Sequence, residues 1–126
     1  MRNHKLSSHI LKKIYLSCCY EEIKVNKPGN VSIKSPKYGM NYKKFYRAAE
    51  ISSKYIIDKK YNACESIYYA CKNCLKELGS NYNLGIVLMI TPIIKVASEN
   101  FNSFVDFRSK LKKQLNPIYS QNTNLL

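Results

Sequence analysis

Two polar segments carry the residue types that bind phosphate and ribose. One is Lys27-Pro28-Gly29-Asn30-Val31-Ser32; the other is Gly79-Ser80-Asn81-Tyr82-Asn83-Leu84-Gly85-Ile86. A lysine supplies charge, glycines let backbone amides approach an anion, and small polar side chains orient its oxygens. The second segment runs into an apolar stretch, so the unpaired N–H groups and positive dipole end of a helix would face whatever binds there. Pro28-Gly29 makes a tight turn ahead of the first polar run. Glu21 and Glu22 close the element before it, where carboxylates oppose the helix dipole. Either they form a solvated surface pair, or one of them points into a site to hold Mg²⁺ or accept a proton. Composition alone also allows a plain turn with an exposed lysine at Lys27, and mere helix caps at Asn81 and Asn83.

Other reactive types read as structural. Cys71-Lys72-Asn73-Cys74 has the spacing of half a zinc site, but neither a second Cys pair nor a His pair follows it. No βαβ pattern surrounds it, so a redox motif is not indicated. His4 and His9 have no nucleophile pattern near them and are expected to face solvent.

Helices must position these segments. Apolar residues at three- and four-residue spacing predict a helix over 6–23, with Leu6, Ile10, Leu11, Ile14, Tyr15, Cys18, Cys19 and Tyr20 on its buried side. Ser7 or Ser8 is a candidate cap. Residues 24–41, with Pro28, Gly29, Pro36 and Gly39, read as a long loop of the kind that carries function. Asn41 caps a second helix over 42–59, with a stripe of Phe45, Ala48, Ala49, Ser52, Tyr55 and Ile56. A third helix spans 63–78, with Ile67, Ala70, Cys71, Cys74, Leu75 and Leu78 inward and Gly79 as left-handed cap. A fourth spans 84–97, apolar on nearly every face, central to a core and kinked near Pro92. A fifth spans 103–115, ended by Pro117 and followed by a polar, frayed tail. The fold class expected is all-α, about five helices in an irregular bundle forming one domain over residues 1–126.

The chain has 126 residues and a formal net charge of +13, with pI about 9.6. A balance this basic points to a polyanionic partner or to the Lys/Asn/Ile/Tyr bias of an A/T-rich genome. Five cysteines, an odd number, fit free thiols in a reducing compartment. No signal-peptide pattern opens the chain. The longest apolar run, 84–94, falls short of the roughly twenty residues of a membrane span. A soluble cytoplasmic protein with no membrane partner is expected.

At the two polar segments the chain resembles the triphosphoribosyl-dephospho-CoA synthase family. The resemblance lies in Lys27-Pro28-Gly29-Asn30-Val31-Ser32, in Glu22 five residues ahead of it, and in Gly79, Asn81, Asn83 and Gly85 leading into an apolar helix. The Phe45, Ala48, Ala49 stretch between them fits as well, so the likeness covers roughly residues 10–98. It implies an all-helical fold and a Mg²⁺-dependent transfer. ATP loses its adenine, and its triphosphoribosyl unit joins the 2′-hydroxyl of dephospho-CoA, giving a prosthetic-group precursor. It also implies roles. Lys27, Gly29 and the Gly79-to-Asn83 amides would take phosphate. Asn30, Ser32, Asn81 and Asn83 would orient ribose or phosphate oxygens. Glu22 would be metal ligand or charge stabiliser. Two departures stand out: Tyr38 occupies the place of a His, and Lys44 that of an acid. Members of the family resembled are about twice as long, so this chain would match their N-terminal half. It would then be a truncated or split product, half of an oligomer or two-chain enzyme, or a non-catalytic remnant. In that case the fourth helix would expose an apolar patch. The alternative from another class is a helical assembly module docking a partner through that helix. A small RNA-binding protein is disfavoured, because the sequence shows no clustered basic helix and no stacking platform.

Overall fold

In the computed structural model the chain is described over residues 4–24 and 42–125, with side chains to residue 116. Five helices follow in order: α1 Ser8–Lys24, α2 Tyr42–Ile57, α3 Ala63–Leu78, α4 Leu84–Ala97 and α5 Phe104–Leu125. The all-α expectation holds, and α3 and α4 have the bounds expected from their apolar spacing. The Asn41 cap lies outside the described residues.

Contacts between the helices fix their directions. The Tyr15 hydroxyl meets Ser52 Oγ at 2.7 Å and the Tyr20 ring meets Tyr46 at 4.7 Å, so α1 and α2 run antiparallel. Ser66 Oγ donates to the Tyr55 carbonyl and Cys74 Sγ to that of Ala48, which makes α2 and α3 antiparallel too. The Leu6 amide donates to the Ala97 carbonyl at 3.0 Å, while Tyr15 meets Asn83, so α4 runs back along α1. A two-residue bridge pairs His4 with Phe101, and their rings lie 5.5 Å apart. The bundle therefore has two poles. One, the terminal pole, gathers His4, the α2–α3 turn and the α4–α5 turn. The other, the loop pole, gathers the end of α1, the start of α2 and the α3–α4 turn.

One core cluster joins α1, α2, α3 and α4 through Leu11, Tyr15, Cys19, Ala49, Ile56, Ala70, Val87 and Ile94. A smaller one at the loop pole joins Ala48, Ile51, Cys74 and Tyr82, with Phe45 edge-on to Tyr82 at 5.4 Å. Alanines at 48, 49 and 70, all fully buried, let these helices approach closely.

Several expectations are corrected. Ile10, Ile14 and Cys18 face solvent, because α1 is covered by α2 and α4 on one narrow side only, the Leu11–Tyr15–Cys19–Ile23 line. Leu75 is 51% exposed, at the edge of the α3 stripe that no neighbour reaches. α4 is not buried all round. Val87, Thr91, Ile94 and Val96 are buried, but Leu84, Leu88, Met89 and Ile93 are not, and the apolar patch expected of an under-packed fourth helix is present. Helix α5 continues through Pro117 to Leu125. A proline removes one backbone donor and crowds one carbonyl, and its fixed φ is itself helical, so it need not end a helix. The α2 helix stops at Ile57, where Asp58 begins a turn closed by its own carboxylate on the Lys60 amide.

Candidate functional site at the loop pole

Geometry at the loop pole starts from a buried polar trio. Asn83 is 6% exposed, and its Nδ2 donates to Tyr15 Oη at 3.3 Å and to Ser52 Oγ at 3.2 Å. The Ser52 hydroxyl in turn lies 2.7 Å from the Ala48 carbonyl. Burial pushes the Tyr15 phenol well above its ordinary pKa, so it stays protonated and able to donate. The trio ties α1, α2 and the N-cap of α4 to one point. Asn83 occupies that N-cap without capping by its side chain. The first-turn amides of Leu84, Gly85 and Ile86 have no carbonyl behind them in the helix, and the first turn holds no acid. The positive end of α4 is therefore uncompensated by its own sequence.

That helix start is recessed. From Tyr15, α1 continues nine residues to Lys24, about 14 Å at 1.5 Å per residue. From Ser52, α2 reaches back ten residues to Tyr42, about 15 Å. The two helix ends overhang the α4 N-terminus, and segment 25–41 joins them. Lys44 Nζ lies 5.7 Å over the Tyr82 ring, which places a cation at this pole at the position where the resemblance expected an acid. Arg47 grips Glu77 with two bonds, Nε–Oε2 at 2.6 Å and Nη2–Oε1 at 3.1 Å, and also meets Glu50. This clamp holds the start of α2 against the end of α3 and sets the approach of the α3–α4 turn.

The residues singled out in the sequence distribute as follows. Glu22 is exposed on the last two turns of α1, in line with Tyr15 and Cys19. It lies about 10 Å further along the axis than Tyr15. Asn81 is partly exposed in the α3–α4 turn. Gly85 is exposed in the first turn of α4, with open space where a Cβ would stand. Gly79 has φ +77° and caps α3, its N–H donating to the Leu75 carbonyl at 2.8 Å. The Gly79 amide and the Asn83 side-chain amide are thus committed to the fold, whereas the first-turn amides at Gly85 have no side-chain cap from Asn83. Lys27, Gly29, Asn30 and Ser32, with Tyr38, lie outside the described residues; the segment bearing them starts and ends at this pole. What the sequence reading missed is the Tyr15–Ser52–Asn83 trio, Tyr82 and the Arg47 clamp. A serine in an otherwise apolar α2 stripe was the one visible signal for the trio.

Among the described residues no three His, Cys, Asp or Glu side chains gather as a metal site. Cys74 is buried against α2 and Cys71 half-buried; burial raises both thiols, Cys74 to about 11. Cys19 is likewise pushed up to about 11 by burial, so it is a thiol rather than a nucleophilic thiolate at neutral pH.

Residues 9–125 match the model of the family described as CitG, ATP:dephospho-CoA triphosphoribosyl transferase. The chain belongs to this family. No curated protein and no solved structure gives a significant match. The match runs from α1 to the end of α5 and so takes in every element that builds the loop pole. Family membership makes this a triphosphoribosyl-transferase-like protein of prosthetic-group biosynthesis. Among the described residues no helix is long and apolar enough to cross a membrane.

Proposed function

We propose that the loop pole binds the triphosphoribosyl part of ATP, and that this chain serves its transfer to the 2′-hydroxyl of a dephospho-CoA-like acceptor. One observation carries the reading: both ends of segment 25–41 and the uncapped start of α4 meet at the same pole, under two overhanging helix ends. A triphosphate would lie against Lys27, the Gly29 turn and the first-turn amides at Gly85. Asn30, Ser32 and Asn81 would orient ribose and phosphate oxygens. Gly79 and Asn83 act through the backbone they hold in place. In the transfer, the C1′–N9 bond to adenine breaks and a C1′–O bond to the acceptor forms. The hydroxyl proton leaves the acceptor, and adenine departs protonated. Positive charge grows on the ribose as the glycosidic bond lengthens, and the Glu22 carboxylate is the group suited to stabilise it.

Mg²⁺ is commonly held by one or two carboxylates together with substrate phosphates. A single protein carboxylate, Glu22, together with the substrate's phosphates would fit that pattern. The ion would neutralise triphosphate charge, while Glu22 and Lys27 fix its orientation.

The test is adenine release from ATP with dephospho-CoA, followed by chromatography. Release lost in Glu22→Gln but retained in the exposed control Glu21→Gln supports the assignment. Equal activity in both variants contradicts it. A second reading, a non-catalytic module that docks a partner, rests on the apolar cleft of about 480 Å³ between α4 and α5, lined by Leu88, Met89, Ile93 and Leu111.

A further inference from the structure

The tyrosines of the terminal pole and the α2–α3 face are gathered by folding in a way their sequence positions do not announce. The Tyr61 and Tyr69 rings lie 4.9 Å apart, Tyr55 stacks near Tyr69 at 6.3 Å, and Tyr68 meets Tyr69 edge-on at 5.1 Å. Tyr68 is 58% exposed. Lysines stand over two of these rings, Lys60 over Tyr61 at 5.0 Å and Lys72 over Tyr68 at 5.7 Å. A cleft lies on each side of the cluster. One, of about 330 Å³, is walled by Tyr55, Lys54 and Lys76. The other, of about 380 Å³, is walled by Tyr61, Lys59, Lys60 and Lys95. The rings of Tyr55 and Tyr61, 6.2 Å apart, join the two.

Carboxylates on this face are mostly engaged. Glu77 is bound to Arg47, Glu65 accepts the Asn62 amide, and Asp58 pairs with Lys60 at 3.7 Å; Glu99 also lines the second cleft. Lys95 is 6% exposed, and its ammonium donates to the Asp58 carbonyl at 2.8 Å. A strip of cation, aromatic and cation matches a ligand that alternates phosphates with flat bases.

We propose that this face binds single-stranded nucleic acid without sequence preference, with bases stacked on the tyrosine cluster and phosphates in the two lysine-walled clefts. A mononucleotide would use only one cleft. A duplex keeps its base faces hidden and cannot stack. The surface runs along the outer α2–α3 face and reaches the Arg47–Glu77 clamp at one end; the proposal does not depend on the transferase reading.

The experiment is fluorescence anisotropy of labelled oligo(dT) and oligo(U), about twelve nucleotides long, the scale of one or two small binding sites. Binding should weaken linearly on a log–log plot against salt. Tyr68→Ala, at an exposed site and in protein checked by circular dichroism to have the wild-type helix content, should weaken it roughly fivefold or more. Lys60→Ala/Lys72→Ala should weaken it more than Lys12→Ala/Lys13→Ala, which removes the same charge from the exposed side of α1. No binding at low salt overturns the proposal. So does a Tyr68→Ala protein that binds like wild type, or duplex bound as tightly as single strand.

Discussion

The two poles of the bundle treat helix starts differently. At the terminal pole each helix start carries a side-chain cap. Ser7 Oγ accepts the Ile10 amide, Asn62 and Glu65 form a full capping box on α3, and Ser103 Oγ accepts the Asp106 amide. At the loop pole, α4 begins on an asparagine whose side chain turns away into the core. A cap satisfies helix amides from within the chain and stabilises by about 1 kcal/mol. Leaving that place open gives up this stability and keeps amides and dipole available to an anion. The chain uses Asn in both settings, so residue type does not decide the outcome; the packing around it does.

The comparison can be broken at several points. The largest effect is expected from Asn83→Leu, which removes the donor shared by the Tyr15 and Ser52 oxygens and sets an apolar side chain against the buried Tyr15–Ser52–Ala48 chain of hydrogen bonds that remains. Stability should fall by roughly 2–4 kcal/mol, read as a lower urea midpoint. Pairing it with Tyr15→Phe in a double-mutant cycle should show strong non-additivity, because one network is being removed twice. At the capped pole, Asn62→Ala should cost about 1 kcal/mol and leave nucleotide binding untouched. Gly79→Ala should cost a similar amount, about 1 kcal/mol, since φ is +77° there. Gly85→Ala has the opposite sign. Its φ is ordinary and the space around it is open, so stability should rise by about 0.5–1 kcal/mol, while ATP binding weakens if a phosphate must come close to that backbone.

A slope rather than a step is expected with pH. Burial lowers Lys95 from 10.5 to about 8, against the smaller opposing pull of Asp58 and Glu65. The folded state then gives up this proton at lower pH than the unfolded chain. Between about pH 8 and 10.5 the unfolded chain holds more protons, so this group makes stability rise with pH across that window. The difference between wild type and Lys95→Met in urea titrations should show that rise disappearing.

Much of this was legible in the residues. The bounds of α3 and α4 follow from apolar spacing, and Gly79 from its place after Leu78. Periodicity marks a stripe but not its width, which neighbouring helices set, and so Ile10, Ile14 and Leu75 were misplaced. Pro117 read as a stop because a proline's cost is visible in sequence while the local accommodation of its missing donor is not. The Asn83 trio joins residues 15, 52 and 83, a long-range convergence that no local pattern encodes. The family match agrees with the resemblance drawn from the two polar segments, and at residues 9–125 it extends past the roughly 10–98 that the resemblance covered.

The most direct measurement is calorimetric titration of Mg²⁺-ATP into the wild type, Lys27→Ala and Asn81→Ala. These residues come from the two different polar segments, and Asn81 is partly exposed at the loop pole. One site at that pole predicts saturable wild-type binding that each single substitution weakens at least tenfold. Wild-type binding that survives either substitution unchanged, or a folded wild type that binds no nucleotide, would contradict it.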